Sequence, residues 1–184
     1  MKNQYSKFVK HLEKQDSVFL QCSGDYIYLT DGKIVLKVPG TVYAAMIRPL
    51  SGIFPDAWDN CKGVKRSYDS VIRIDNAEGM DIAKACENLS TDKNLIKSRF
   101  IVDLPPKGKS KKGEKARLFF ADGEIIAVNE SFVDVFADCI IAERWTGEGR
   151  WNTPLIQKND DFMLVMFPMK VDKEIFQVWK NAEV

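Results

Sequence analysis

Tyr26-Ile27-Tyr28-Leu29-Thr30-Asp31-Gly32-Lys33-Ile34-Val35-Leu36-Lys37-Val38 is the stretch that decides the fold class. Two runs rich in aromatic and β-branched residues flank Asp-Gly, a strong short-range hairpin signal because both residues tolerate tight-turn dihedrals. In the second run Ile34, Leu36 and Val38 alternate with Lys33, Val35 and Lys37, the two-residue period of a strand. Asp31 is therefore read as a turn former, not as an acid–base group. Upstream, Val18–Cys22 reads as a strand set off by Ser23-Gly24-Asp25. Before it, Tyr5, Phe8, Val9 and Leu12 recur at helical spacing and predict an amphipathic helix over residues 4–15. Downstream, Pro39-Gly40 ends the second run, and Thr41 is placed to cap a short helix through Met46.

The period is lost from Arg48 to Ser70, where Pro49, Ser51-Gly52, Pro55, Asp59-Asn60 and Gly63 punctuate the chain. This stretch reads as a connector, and its Ile53, Phe54 and Trp58 suggest that it packs against something. Val71–Ile74 reads as a short strand, Ile82, Cys86 and Leu89 mark one face of a helix near 80–90, and Ile96–Leu104 has strand character closed by Pro105-Pro106. The segment from Lys107 to Lys115 is rich in lysine and reads as a solvated loop. A second hairpin follows, with Arg117–Phe120, Asp122-Gly123 and Glu124–Val128. Ser131 and Asp134 resemble a capping box before the apolar face Phe132, Val135, Phe136 and Cys139. Strands are expected at Ile140–Trp145, Leu155-Ile156 and Phe162–Phe167, and Ile175, Val178 and Trp179 predict a tail helix docked by its apolar face.

The two hairpins suggest an internal repeat. Tyr26–Ile34 aligns with Arg117–Ile125 without a gap; a one-residue offset then sets Val38 against Val128, Thr41 against Ser131, Val42 against Phe132 and Met46 against Phe136. A repeated unit unable to bury both its faces alone favours packing of related half-sheets. The expected class is α+β, with antiparallel sheets, short packed helices and a pseudo-repeat. The expected domains are residues 1–69, a partial unit plus connector, and 70–184, a fuller unit with the tail helix.

Composition narrows the function. The chain has 184 residues, 45% of them hydrophobic, with 11 Phe, 5 Tyr and 4 Trp, enough apolar surface for a proper core. With 27 basic and 26 acidic residues the net charge is +1, which lacks the bulk positive field of a strong nucleic-acid binder. No run reaches the roughly 18 apolar residues of a spanning helix, and the N-terminus lacks the apolar core of an export signal, so a cytoplasmic location without membrane association is expected. The four cysteines, Cys22, Cys61, Cys86 and Cys139, show no C-x-x-C spacing, and one histidine, His11, would have to serve any Ser-His-Asp triad. No cofactor or metal is expected. Gly108-Lys109-Ser110 lacks the earlier glycine and following helix of a phosphate-binding loop. The candidate nucleic-acid contacts are Lys107, Lys109, Lys111, Lys112, Lys115 and Arg117, dense enough for a salt-sensitive anion patch, although a merely solvated loop fits the same residues.

The second half resembles a domain of the bacterial DNA polymerase processivity factor, the β sliding clamp. Ala121-Asp122-Gly123-Glu124-Ile125-Ile126-Ala127-Val128 resembles a Thr-Asp-Gly-His-Arg-Leu-Ala-Val segment of clamp domains. Thr153-Pro154-Leu155-Ile156, followed by Asp161-Phe162-Met163-Leu164-Val165-Met166-Phe167-Pro168-Met169-Lys170, resembles the clamp's last strands, which end in Tyr-Leu-Val-Met-Pro-Met-Arg-Leu. The resemblance spans roughly residues 70–171, with a truncated first copy over 1–50. Phe167 is inserted between the family's Met and Pro, Lys170 replaces its Arg, and the chain continues to Val184.

Clamps encircle duplex DNA as rings of six domains and bind short peptide motifs near the chain end. The resemblance thus implies a noncatalytic module with a DNA-processing protein peptide as partner, weak nonspecific DNA backbone contact, and homo-oligomerisation. It places peptide binding at Leu155, Val165, Pro168 and Met169, residues that fit ordinary core or edge positions equally well. The alternatives are a structural oligomerisation protein without a DNA role, and a small enzyme using loop carboxylates such as Asp56, Asp59 or Asp160.

Overall fold

The computed structural model describes residues 5–15, 17–52, 63–67, 70–74, 81–87, 89, 93–94, 96–104, 113–121, 124–133, 142–144, 154–158 and 160–169, with isolated positions in the tail. The chain is α+β, as expected, and divides into two units. One comprises Met1–Leu89 with Lys158–Val165, and the other Ser90–Gln157 with Met166–Val184.

The first unit is built on the quoted stretch. Strands β1 (Ser17–Ser23), β2 (Tyr26–Thr30) and β3 (Ile34–Pro39) form an antiparallel meander, with Leu20 opposite Leu29 and Leu29 opposite Leu36. Its sheet continues from β3 to β12 (Met163–Met166) on one side and from β1 to two further strands on the other. Strands β4 (Gly63–Ser67) and β5 (Ser70–Ile74) form a hairpin, and β4 pairs antiparallel with β1, Leu20 facing Val64. Part of the expected connector is thus a sheet strand. That pairing carries the first unit past the expected boundary at residue 69, to Leu89.

Alternation gives the meander two faces. Val18, Leu20, Ile27, Leu29, Ile34, Leu36 and Val38 lie on one and are buried. The other carries Gln21, Tyr26, Tyr28 and Lys37, and helix α3 (Ile82–Glu87) attaches there. Gln21 accepts from the Ala83 N–H and donates to the Asp81 carboxylate, which in turn accepts from the Lys84 N–H. Asp81 thereby caps the first turn of α3.

Helix α1 (Ser6–Glu13) buries Phe8, Val9 and Leu12, as its spacing predicts, and Tyr5 meets Phe162 edge-on with ring centroids 6.2 Å apart. Its polar side is also used. His11 Nε2 donates to Asp31 Oδ2 over 2.8 Å, and the Asp31 side chain is only 1% exposed. Asp31 Oδ1 accepts from the N–H groups of Lys33 and Ile34, and Thr30 Oγ1 accepts from Gly32 N–H and donates to Ile34 O. Gly32 sits at φ +84°, a conformation that costs glycine little. Asp31 is a turn former, as expected, and it also anchors α1.

After β3 the chain enters helix α2 (Gly40–Val42), a π-helical turn (Tyr43–Ile47) and a 3₁₀ turn (Arg48–Leu50). Gly40, not Thr41, begins this run, and no side chain caps it. Pro49 has no N–H to continue an α ladder, which suits the change of helical pitch ahead of it. Tyr43 and Ile47 are buried, whereas Met46 is 40% exposed and Leu50 38%.

The second unit contains the sheet β7-β8-β9, from β7 (Ile96–Asp103), β8 (Lys115–Ala121) and β9 (Glu124–Asn129), and the ladder β6-β10-β11, from β6 (Lys93–Asn94), β10 (Ala142–Arg144) and β11 (Leu155–Lys158). Helix α4 (Glu130–Val133) packs on β8 and β9. Its start is held by Asn129, whose Oδ1 accepts from the Ser131 N–H and hydroxyl, so Asn129 does the capping assigned above to Ser131. Asp134 lies outside the described residues. In the tail Val178 is 65% exposed, contrary to the expected docked face, and Ile175 and Trp179 lie outside the described residues.

The two hairpins do not share one turn. Thr30 pairs with Val35 across four residues, whereas Ala121 pairs with Glu124 across two. The ungapped alignment through Ile34 and Ile125 is therefore not kept in the strand register.

Burial pushes the Asp31 carboxyl up, but hydrogen bonds from His11, Lys33 and Ile34, with the charge of His11, outweigh it and hold its pKa below the ordinary value. A depressed folded-state pKa gives stabilisation that is complete above the unfolded value, near pH 4, and lost as pH falls through the folded value. Urea unfolding followed from about pH 2 to 5 should therefore show a shallower acid limb for Asp31→Asn than for the parent. At neutral pH, His11→Ala should cost about 1–3 kcal/mol, because it takes a donor from a buried carboxylate.

Candidate functional site

The expected nucleic-acid contacts lie around the β7–β8 connection. Asp103 pairs with Lys115, and one residue further Leu104 N–H donates to Glu114 O over 2.8 Å, closing a narrow neck. A Cβ at Gly113 would stand 2.4 Å from the Leu104 carbonyl oxygen, so only glycine lets the two backbones approach this closely. Lys107, Lys109, Lys111 and Lys112 lie outside the described residues. Lys115 is exposed at the start of β8. Arg117 is engaged: its guanidinium makes a two-pronged ion pair with Glu130 at the start of α4, the side chains 15% and 12% exposed. Alternation in β8 turns Arg117 to the face that meets α4, where its charge is matched. It belongs to the fold of the second unit rather than to an open cationic patch.

The four expected peptide contacts are divided between the two units. Val165 belongs to the first unit, and Leu155, Pro168 and Met169 to the second. Leu155 and Val165 have no exposed surface, which makes them core residues and not the lining of an open groove. Pro168 and Met169 are half-buried. Met169 N–H donates to Ala127 O over 2.8 Å on β9, and its side chain packs with Val102 against Leu104, Ala116, Leu118 and Ala127. The chain after β12 thus forms a strap beside β9, with the Met169 side chain turned onto the Leu118 and Ala127 face. Phe167, at the head of this strap, is 42% exposed. Its signal in the sequence was its insertion into an otherwise family-like ending.

The titratable groups of the first unit serve packing. The Lys37 ammonium lies 4.2 Å from the Tyr26 ring centroid and 5.6 Å from that of Tyr28, a cation–π arrangement across β2 and β3. Burial raises the Tyr28 phenol, with Lys37 opposing it. Burial also pushes the Cys86 thiol up to about 11, so it stays protonated and poorly nucleophilic at neutral pH. Hydrogen bonds from the Lys84 N–H and Gln21 hold the Asp81 carboxyl below its ordinary value.

Of the alternative catalytic carboxylates, Asp56 and Asp59 lie outside the described residues and Asp160 is exposed. Among the described residues no three His, Cys, Asp or Glu side chains are grouped to hold a metal ion, and no helix is long and apolar enough to cross a membrane. No protein-family model matches the chain, and no curated protein sequence matches it.

The described residues present an exposed ring with half-buried Pro-Met beside β9, and a fixed neck at the lysine-rich connection. Gly113→Ala should destabilise the protein by about 1–3 kcal/mol, because backbone, not a pliable side chain, must move to admit the methyl group. Glu130→Ala should also lower the urea midpoint, since it strands the half-buried Arg117 charge, at a cost of about 1–3 kcal/mol. Unchanged midpoints would contradict the neck and the ion pair respectively.

Proposed function

We propose that this chain is a noncatalytic, clamp-like interaction module that works within a DNA-processing assembly. The observation that carries the reading is the segment Phe167–Met169, tied by the Met169 N–H to Ala127 O on β9 and led by an exposed aromatic ring. Terminal strands ending in Met-Pro-Met are where the resembling family takes its partner peptides, and Phe167, Pro168 and Met169 occupy that place here. An exposed ring beside proline and methionine suits an apolar peptide, because methionine adapts to irregular partners. Leu155 and Val165 are core residues and do not form this surface.

DNA association in this reading is loose and electrostatic. It is assigned to Lys107, Lys109, Lys111, Lys112 and Lys115, without Arg117, whose charge Glu130 already neutralises. Lysines on a connecting segment contact phosphates without reading sequence.

A second reading is an oligomerisation protein without a DNA role. It is favoured by β7, which ends its sheet and exposes Ile101 at 47%. Terminal strands with apolar surface readily recruit another strand.

Solution mass measured with and without duplex DNA separates the two. The first reading expects a complex that weakens steeply with salt. Joint replacement of Lys109, Lys111 and Lys112 by Gln should reduce the slope of log K against log salt by about 0.9 for each phosphate that is no longer neutralised. Salt-insensitive binding, or a slope unmoved by the triple change, would count against it. A self-associating protein without DNA affinity would establish the second.

A further inference from the structure

The β1–β2–β3 meander of the first unit ends in a cavity of about 480 Å³ that neither the strap nor the lysine-rich segment uses. It is lined by Cys22, Gly24, Asp25, Ile27, Pro39 and Gly40, with Thr41 beside them. The strand register explains why it forms. Cys22 faces Ile27, and Ile27 faces Val38, so these three make the last rung of the meander's apolar face. Burial fades along that rung, from Val38 at 0% through Ile27 at 6% to a half-buried Cys22. Beyond it the chain turns twice, at Gly24-Asp25 and at Pro39-Gly40, and the two turns are clasped by Gly40 N–H donating to Asp25 O over 2.7 Å. Among the described residues, the cavity lies at the end of this apolar layer, beside the backbone clasp.

Its chemistry is one-sided. Ile27 and Pro39 supply an apolar floor, Cys22 a thiol and Thr41 a hydroxyl. Asp25, on an exposed turn, is the one charged residue among the described lining residues. An occupant matching both parts has an aliphatic stem for the floor and a positive head for Asp25. Burying an aliphatic stem while its charge stays at the wet rim is how lysine and arginine side chains behave. An anionic occupant would face the carboxylate, and a neutral one would forgo it.

We propose that this cavity is a receptor for the aliphatic, cationic side chain of a partner polypeptide, a lysine or arginine, seated on Ile27 and Pro39 and paired with Asp25. The site stands apart from the strap and from the lysine-rich segment, so it can fail while the proposed function holds, and the reverse.

Cys22 provides a reporter inside the cavity, and Cys86, buried and with its thiol raised to about 11, is slow to react. The reduced full-length chain is alkylated with iodoacetamide at mildly alkaline pH, and the adduct at Cys22 is followed by peptide mapping. The probes are pentylammonium, pentanol and pentanoate, equal in stem and different in charge. Pentylammonium at about twice its dissociation constant should slow alkylation about threefold, since only the unoccupied fraction reacts. A ligand of so few heavy atoms is expected to bind in the millimolar range. Pentanol should protect less and pentanoate least, and in Asp25→Asn the ammonium should protect no better than the alcohol. Amide shifts of Gly24, Ile27 and Gly40 on titration with pentylammonium give a second readout independent of the thiol. Equal protection by all three probes, protection by none, shifts elsewhere in the chain, or charge preference persisting in Asp25→Asn would each overturn the proposal.

Discussion

One buried carboxylate fixes the geometry on which the first unit depends. Asp31 sits where β2 turns into β3, gives one oxygen to two backbone N–H groups and the other to His11. The same side chain therefore sets the tight turn and fastens the first helix to it. Short-range turn chemistry and a contact twenty residues away in sequence are coupled through a single group. Because the carboxylate is almost fully screened from solvent, those donors are an obligation as well as a gain: a buried charge without partners would cost more than the turn is worth.

The remaining architecture follows from having to cover both faces of narrow antiparallel sheets. In the first unit α3 attaches through Gln21 while the opposite apolar row is buried. In the second, α4 lies on the Arg117 face, and Met169 packs on the Leu118 and Ala127 face. The polar groups on these faces are spent in joining layers: Gln21 to the start of α3, Arg117 to the start of α4. Such tethers position helices whose few turns would not form in isolation.

Much of this was legible in the residues. The Asp-Gly hairpins, the α1 stripe and the strands flanking them emerge from period and turn chemistry, which act within a few residues. What stayed hidden depends on distant neighbours. Strand β4 carries no clear alternation, and its place is set by pairing with β1. Asn129 rather than Ser131 caps α4, a choice between adjacent side chains able to do the same work. The turn Tyr43–Ile47 is π-helical ahead of Pro49, a change of pitch that a fixed helical period misses. By composition Arg117 belongs to a basic run, but strand alternation and the pairing with Glu130 set its direction. Leu155 and Val165 were rightly noticed as apolar, but apolarity does not tell a core residue from an exposed one.

The neck formed by Leu104, Gly113 and Glu114 has an evolutionary corollary. Its two backbones are joined ahead of the eight residues between them. Closure entropy grows only slowly with the length of such an excursion. A change in the length of that segment therefore adds little entropic cost at the neck, which makes it a natural graft point.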